Sequence, residues 1–220
     1  MSGEAGQHQT KGHTMMKFFY APNSCALASH LALEQVGAPY EACRVDFAQG
    51  QQKAPEFLAV NPKGRVPALV TERGVLTETP AILAYICQTF PAAKLAPIDD
   101  PFAFAQVQSF NSYLCATVHV AHAHRYRGER WADDPAAIAA MQQKVPQTMA
   151  ACFELIEHDL FRGPYVMGND YTVCDMYLFT ICRWLAGDGV DIRRFPKVAE
   201  FQQRMFADPV VKKVLALHSG

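Results

Sequence analysis

Residues 57–69 read Phe-Leu-Ala-Val-Asn-Pro-Lys-Gly-Arg-Val-Pro-Ala-Leu, a short helical segment that passes through a turn into a strand opened by Pro67. A proline at a strand start keeps the residue before it extended. The backbone N–H and C=O of Val66 are then free to pair with a peptide-like ligand. The alternative is an ordinary strand start with no ligand.

Around this stretch, from Met16 to about Phe90, short apolar runs alternate with helical segments. Their order is β-α-β-α-β-β-α, which predicts a small mixed sheet with helices packed on it. The predicted strands are 16–20, 40–45, 66–71 and 74–77, and the predicted helices lie between Ser24 and Gly37, over 53–60 and over 80–90.

The second half has a different pattern, because almost every segment after the proline-rich stretch 91–101 is helical. Helices are predicted over 102–127, 134–160, 172–186, 195–206 and 208–217. Thr172 and Asp175 form a capping box, which we interpret as structural. We expect a leader over 1–15 without fixed structure, an α/β domain over 16–91, a linker over 92–100 and an all-helical domain over 101–220.

Composition excludes several classes of function. Twenty basic and 21 acidic residues among 220 give a formal charge of −1, which argues against a nucleic-acid binder or a polybasic membrane anchor. No apolar run is long enough to cross a membrane, and the N-terminus does not resemble a secretory signal. The seven cysteines are odd in number and lack a C-x-x-C pair, which fits reduced thiols and a cytoplasmic location.

Cys25 is the first candidate for chemistry. It lies in the first turn of a predicted helix, where free N–H groups and the helix dipole favour a thiolate. The Ser24 hydroxyl beside it is a possible hydrogen-bond donor. A buried cysteine that acts as a small hydrophobic residue explains the position equally well.

Glu78 and Thr79 form the second candidate, where a strand ends and a helix begins. Their side chains and the helix N-terminus suit a ligand that carries both an ammonium and a carboxylate group. The structural interpretation is that Thr79 is the N-cap and Pro80 the first residue of the helix. Ligand binding would be a second role of the same residues.

Four pieces of the sequence together resemble the cytosolic glutathione S-transferase family, most closely its bacterial beta class, over about 200 residues. They are residues 20–25 (Tyr-Ala-Pro-Asn-Ser-Cys), 57–69, 76–82 (Leu-Thr-Glu-Thr-Pro-Ala-Ile) and 168–175 (Gly-Asn-Asp-Tyr-Thr-Val-Cys-Asp). The resemblance implies a thioredoxin-like domain, an all-helical domain and a homodimer. It also implies a transferase active in detoxification that uses glutathione as co-substrate, with no metal.

The same resemblance implies roles for single residues. Pro67 would be cis, and Val66 would pair with the cysteinyl unit of glutathione. Glu78 and Thr79 would hold its γ-glutamyl end, and Cys25 would face its sulfur. The resulting thiolate would attack a small hydrophobic electrophile bound between the domains. The alternatives are a thiol–disulfide reductase that works through a Cys25 mixed disulfide, and a glutathione- or ligand-binding protein without catalysis.

The helical domain contributes His119, at the position where the beta class has a histidine that faces the sulfur. Val120 replaces the lysine that usually follows, and the asparagine of the family falls near Ser112. His119, His122 and His124 also raise a metal-site interpretation, but this spacing puts only His119 and His122 on one face. The arginines at 125, 127 and 130 are interpreted as a solvated helix end, with a place near a glutathione carboxylate or an acidic electrophile as the alternative. Tyr177 and Trp184 are interpreted as core.

Overall fold

The sheet begins with β1 (Met16–Tyr20), whose alternate side chains Met16, Phe18 and Tyr20 are buried. Such alternation is typical of a strand with one face on a core. The structure is a computed structural model, which describes residues 15–219. Apart from Met15, the predicted leader therefore lies outside the described residues.

Four strands form one mixed sheet in the order β2-β1-β3-β4. Besides β1 they are β2 (Tyr40–Arg44), β3 (Ala68–Thr71) and β4 (Gly74–Thr77). β2 runs parallel to β1, with Met16 opposite Tyr40, whereas β3 is antiparallel to both β1 and β4. The predicted order of elements is confirmed, and β3 begins directly after Pro67.

Three helices belong to this half: α1 (Ala26–Gln35), α2 (Pro55–Val60) and α3 (Thr79–Thr89). All residues of α1 from Ala26 to Leu33 are buried, because the helix lies between the sheet and helices of the second half. Each buried leucine of α1 contributes about 1.5–3 kcal/mol of transfer free energy. The helix therefore fixes the direction in which its first turn, with Cys25, faces.

The second half is helical throughout the described residues. Its helices are α4 (Pro101–Tyr113), α5 (His119–Ala123), α6 (Pro135–Leu155), α7 (Val173–Cys182), α8 (Pro196–Ala207) and α9 (Pro209–Leu217). Two predicted helices are interrupted, because residues 114–118 and 156–160 form π-helical turns. The first of these turns lies directly before α5, which begins at His119. π-helical turns of this kind are frequent at functional sites.

The two halves share one continuous core. Every residue of α7 is buried, and α1 packs against both α7 and α9. The capping box of α7 is confirmed: the Asp175 carboxylate accepts from the Thr172 N–H at 2.7 Å, and the Thr172 hydroxyl accepts from the Cys174 N–H at 3.3 Å. Within residues 15–219, no helix is long and apolar enough to span a lipid bilayer.

Candidate functional site

Cys25 links the end of the first strand to the segment before Pro67. It is the N-cap residue of α1 and is half-buried. Its thiol donates a long hydrogen bond, 3.7 Å, to the carbonyl oxygen of Val66. The structure thus brings together two residues that are 41 positions apart in the sequence.

The expectation that the helix terminus favours a Cys25 thiolate is wrong. Loss of water around the sulfur raises the pKa of the thiol to about 11, although the Thr79 hydroxyl and the Arg127 charge both act to lower it. Desolvation of the sulfur is the largest of these effects and outweighs the favourable interactions. At neutral pH, Cys25 is therefore a neutral thiol and a hydrogen-bond donor.

Ser24 is engaged within its own loop. Its hydroxyl donates to the carbonyl oxygen of Ala21 at 2.7 Å and accepts from the N–H of Ala26 at 3.3 Å. A hydroxyl has a single proton to donate, so this conformation leaves none for a second acceptor. Cys25 takes the N-cap position of α1, and the Ser24 hydroxyl, one residue earlier, accepts from the first N–H of the helix.

The peptide bond between Val66 and Pro67 is cis, as the resemblance implied. The loop before it is held by the buried Asn61, whose side-chain amide donates to the Arg65 carbonyl oxygen at 2.6 Å and whose carbonyl accepts from the Lys63 N–H at 3.2 Å. The N–H of Val66 has no hydrogen-bond partner among residues 15–219. A fixed, extended backbone with a free N–H is the arrangement that pairing with a peptide requires.

The expected N-cap at Thr79, with Pro80 at the first helical position, is wrong by one residue. Glu78, not Thr79, is the N-cap of α3, and its φ of 71° is unusual for a residue other than glycine. Its carboxylate forms an ion pair with Lys63 on the surface. Thr79 is the first residue of the helix and is 4% exposed. Its hydroxyl therefore lies at the helix N-terminus beside the Cys25 sulfur.

His119 lies at the start of α5 in the helical half, where its ring packs on Trp184. Burial, together with the positive charges of His122, Arg127, Arg130 and Arg65, lowers the pKa of the imidazole to about 4. His119 is therefore neutral at physiological pH. The Arg127 charge acts on the pKa values of both Cys25 and His119.

Of the three histidines in the 119–124 segment, only His119 and His122 lie on the same side, as their spacing predicted. The rings of His119 and His122 lie 6.3 Å apart, and both pack on Trp184. His124 instead packs edge-on against Trp131. Within the described residues, no group of three or more His, Cys, Asp or Glu side chains is arranged to hold a metal ion.

Sequence reasoning missed several contributors. Arg130 is exposed and Arg127 half-buried, and the charges of both also act on His119, which the sequence does not indicate. Trp184 was assigned to the core, yet it also contacts both histidines. Asp188 lies beneath His122. A separation of 66 residues gives no pattern that predicts this contact, although the paired glycines around Asp188 do indicate a turn.

Two buried polar side chains near this region lack ordinary hydrogen bonds. Among residues 15–219, Asn111 has no partner for either amide atom, and the Tyr177 hydroxyl has none within hydrogen-bond geometry. The Thr79 hydroxyl and the Cys115 thiol nevertheless act on the pKa of Tyr177, which burial raises well above its usual value. Ser112, near which the resemblance places the family asparagine, is exposed, whereas the adjacent Asn111 is buried.

Comparison with known proteins agrees with this arrangement. Residues 14–88 match the glutathione S-transferase N-terminal domain, and residues 124–218 match the C-terminal domain of the same family. The glutathione S-transferase GstA of Escherichia coli O157:H7 is 30% identical over 205 residues, which cover 91% of this chain and 98% of GstA.

Solved structures show the same relationship. A glutathione transferase homologue from Sulfitobacter, with bound glutathione, is 46% identical with a TM-score of 0.89, covering 92% of this chain and 97% of that one. A bacterial beta class glutathione S-transferase from Sphingomonas chungbukensis is 31% identical with a TM-score of 0.80, covering 92% and 98% of the two chains. With both domains matched in order and such identity over nearly its whole length, the chain belongs to the glutathione S-transferase family.

Proposed function

We propose that this protein is a glutathione transferase whose α/β domain, 16–91, binds glutathione and whose helical domain, 101–220, completes the site for the second substrate. The observation that carries the proposal is the approach of the Cys25 thiol to the Val66 carbonyl beside the cis Pro67. A tripeptide that pairs with the Val66 backbone would bring its own sulfur to the first turn of α1.

The two ends of glutathione suit different groups in this site. The α-carboxylate of the γ-glutamyl unit would be held by Thr79 at the N-terminus of α3, and the ammonium group by the Glu78 carboxylate. Glu78 already binds a cation, because its carboxylate pairs with the Lys63 ammonium. A ligand ammonium would therefore replace or share that contact.

Thiolate stabilisation is the central chemical step. A glutathione thiol with a pKa near 9 is only about one per cent ionised at neutral pH, and lowering that pKa by two units needs about 2.7 kcal/mol. The neutral Cys25 thiol would donate a hydrogen bond to the thiolate. The nearby Arg127 charge and the N-terminus of α1 add attraction for negative charge. His119 would approach the sulfur as a neutral imidazole.

The pKa of Cys25 favours conjugation over the reductase alternative. A nucleophilic cysteine must be largely ionised near neutral pH, and a pKa of about 11 leaves Cys25 protonated. In conjugation, the glutathione sulfur forms the new bond to carbon and the leaving group departs with its electron pair. Cys25 then remains a thiol throughout.

We further propose a hydrophobic second substrate, a homodimer and a cytoplasmic location. The free state of all seven cysteines is consistent with a reducing compartment. Phe102, at the start of α4, is 74% exposed, and an exposed aromatic side chain of this size is suited to an interface between subunits. Sedimentation velocity would report a dimer, or a monomer if this part of the proposal is wrong.

The experiment for the main proposal combines calorimetry with reduced glutathione and turnover of 1-chloro-2,4-dinitrobenzene and hydroxyethyl disulfide. We expect binding, release of chloride from the first substrate and little reduction of the second. Predominant disulfide reduction would favour the reductase, and binding without turnover would favour a ligand-binding protein. The absence of glutathione binding would contradict the proposal.

A further inference from the structure

A cleft opens in the helical half between the end of α7 and one face of α8. It has a volume of about 570 Å³, and the turn over residues 183–190 forms much of its lining. None of the residues assigned to the proposed glutathione site lines it. Sites for small molecules commonly have volumes of roughly 300–1,000 Å³. The cleft is therefore a separate candidate site of suitable size.

Much of the lining of this cleft is apolar. Leu185 and Val190, which are buried, line it together with Ile192 and Phe206. The Phe206 ring is 37% exposed and packs edge-on against the buried Phe179, with ring centroids 5.0 Å apart. An aromatic ring that is fixed on one side and exposed on the other is suited to pack against a second ring.

The turn after α7 fixes the shape of the cleft. The N–H of Val190 donates to the carbonyl oxygen of Leu185 at 2.9 Å, and the N–H of Gly189 donates to that of Ala186 at 3.2 Å. Gly189 has a φ of 76°, a conformation that glycine adopts readily. The turn is thus closed by its own hydrogen bonds, so a ligand does not have to order it on binding.

Arg183 is the cation of the cleft. Its side chain is half-buried and lines the cleft, and it has no hydrogen bond or ion pair within residues 15–219. By contrast, the guanidinium of the partly covered Arg125 lies 3.5 Å from the buried carboxylate of Asp188. Burial lowers the pKa of Arg183, because the guanidinium has lost part of its hydration. An anionic ligand would supply the interaction that this charge lacks.

The other titratable groups that line the cleft do not neutralise Arg183. The carboxylate of Asp191 is engaged by Arg193, whose guanidinium donates to it at 2.6–3.0 Å. The Cys182 thiol is protonated, because burial raises its pKa. Among the described residues that line the cleft, Arg183 therefore carries the uncompensated charge.

We propose that this cleft binds small aromatic carboxylates, with the carboxylate paired to the Arg183 guanidinium and the ring packed against Phe206. The planar guanidinium presents parallel N–H groups that match the two oxygens of a carboxylate. Gln202, one helical turn before Phe206 on the same face of α8, adds an amide to the same lining. Binding here is independent of the proposed transfer reaction.

The test is calorimetric titration with 1-naphthoate and with its neutral analogue 1-naphthamide. S-hexylglutathione is kept in excess, so that the proposed glutathione site is occupied. We expect the wild type to bind naphthoate roughly tenfold more tightly than naphthamide, as a charge-assisted hydrogen bond provides. Arg183→Gln should abolish this preference. Arg162→Gln is the matched control, because Arg162 is an exposed arginine of the same half that lies outside the cleft.

Two further variants test the position of the ligand without removing Arg183. Ala186→Glu places a carboxylate at an exposed position of the cleft lining and should weaken the binding of naphthoate but not of naphthamide. Phe206→Ala should weaken the binding of both ligands, because both pack the same ring. Thermal melts of each variant show whether it is folded.

Three results would overturn the inference. The first is the absence of saturable binding of naphthoate to the wild type at millimolar concentration. The second is an unchanged preference for naphthoate in Arg183→Gln and in Ala186→Glu. The third is binding of naphthoate that appears only when S-hexylglutathione is left out, which would assign it to the proposed glutathione site.

Discussion

The thiol of Cys25 donates to the carbonyl oxygen of Val66 at 3.7 Å, across the boundary between the first helix and the cis-proline loop. This contact orients the thiol toward the backbone that would pair with glutathione. Since burial keeps that thiol protonated, the residue is suited to donate a hydrogen bond to another sulfur.

The first prediction concerns the donor role of Cys25. A hydrogen bond to a charged group contributes about 1.5–3 kcal/mol, so Cys25→Ala should lower kcat/KM for 1-chloro-2,4-dinitrobenzene by roughly 10- to 100-fold. Cys25→Ser keeps a donor at this position and should retain most of the activity. Steady-state kinetics of the two variants checks this, and an equal loss in both would argue for a role specific to sulfur.

The second prediction concerns the reactivity of Cys25 in the free protein. With a pKa of about 11, only about one thiol in ten thousand is ionised at pH 7. Alkylation by iodoacetamide, followed by mass spectrometry of the peptide that contains Cys25, should therefore be slower than alkylation of free glutathione. It should accelerate as the pH rises toward 10. Rapid labelling at pH 6 would be inconsistent with a protonated thiol.

The third prediction concerns Thr79, the buried hydroxyl at the start of α3. Removing a hydrogen bond to a carboxylate should weaken glutathione binding by roughly tenfold or more in Thr79→Val. Thr79→Ser keeps the hydroxyl and is the matched control, with a dissociation constant close to that of the wild type. Isothermal titration calorimetry measures both, and an unchanged dissociation constant in Thr79→Val would remove Thr79 from the binding site.

The fourth prediction concerns the stability of the protein in acid, which depends on a contact between α1 and the C-terminal end of the described chain. The Nδ1 atom of His30 lies 2.9 Å from the Nε2 atom of His218, and both residues are buried. Burial lowers the pKa of His30 to about 4 and of His218 to about 3. The native protein therefore resists protonation that the unfolded chain accepts near pH 6.5.

The sign of this effect is a loss of stability in acid. The stabilisation is complete above about pH 6.5, and it falls as the pH decreases toward 4, because only the unfolded state gains protons. Thermal melts should be recorded at pH 7.5 and at pH 5.0. The decrease in melting temperature between these two pH values should be smaller for His218→Leu than for the wild type. The exposed His158 provides the control variant, His158→Gln. Identical pH dependence in all three proteins would contradict the prediction.

Local patterns were sufficient to predict most of the fold. The alternation in residues 16–20, the glycine after α1 and the proline at the start of α3 each act within a few positions, and those elements occur where expected. The boundary at Glu78 was missed because its φ of 71° is imposed by the tertiary fold rather than by residue preference. The π turn before His119 likewise has no signal in the helical periodicity.

Electrostatics was less predictable than topology. The position of Cys25 at a helix N-terminus predicted a lowered pKa, but burial, which decides the pKa, depends on the packing of distant segments around the sulfur. The contact of His122 with Asp188 depends in the same way on the packing of α5 against the turn after α7. Contacts between distant segments carry no local pattern, so they require the folded structure.

The central claim, that the Val66 backbone holds glutathione with its sulfur against Cys25, is tested most directly by a crystal structure of the complex. The account predicts paired hydrogen bonds between Val66 and the cysteinyl unit, with the glutathione sulfur within about 4 Å of the Cys25 sulfur, as a hydrogen bond between sulfurs requires. Glutathione bound elsewhere, or with its sulfur against the Ser24 hydroxyl instead of Cys25, would contradict it.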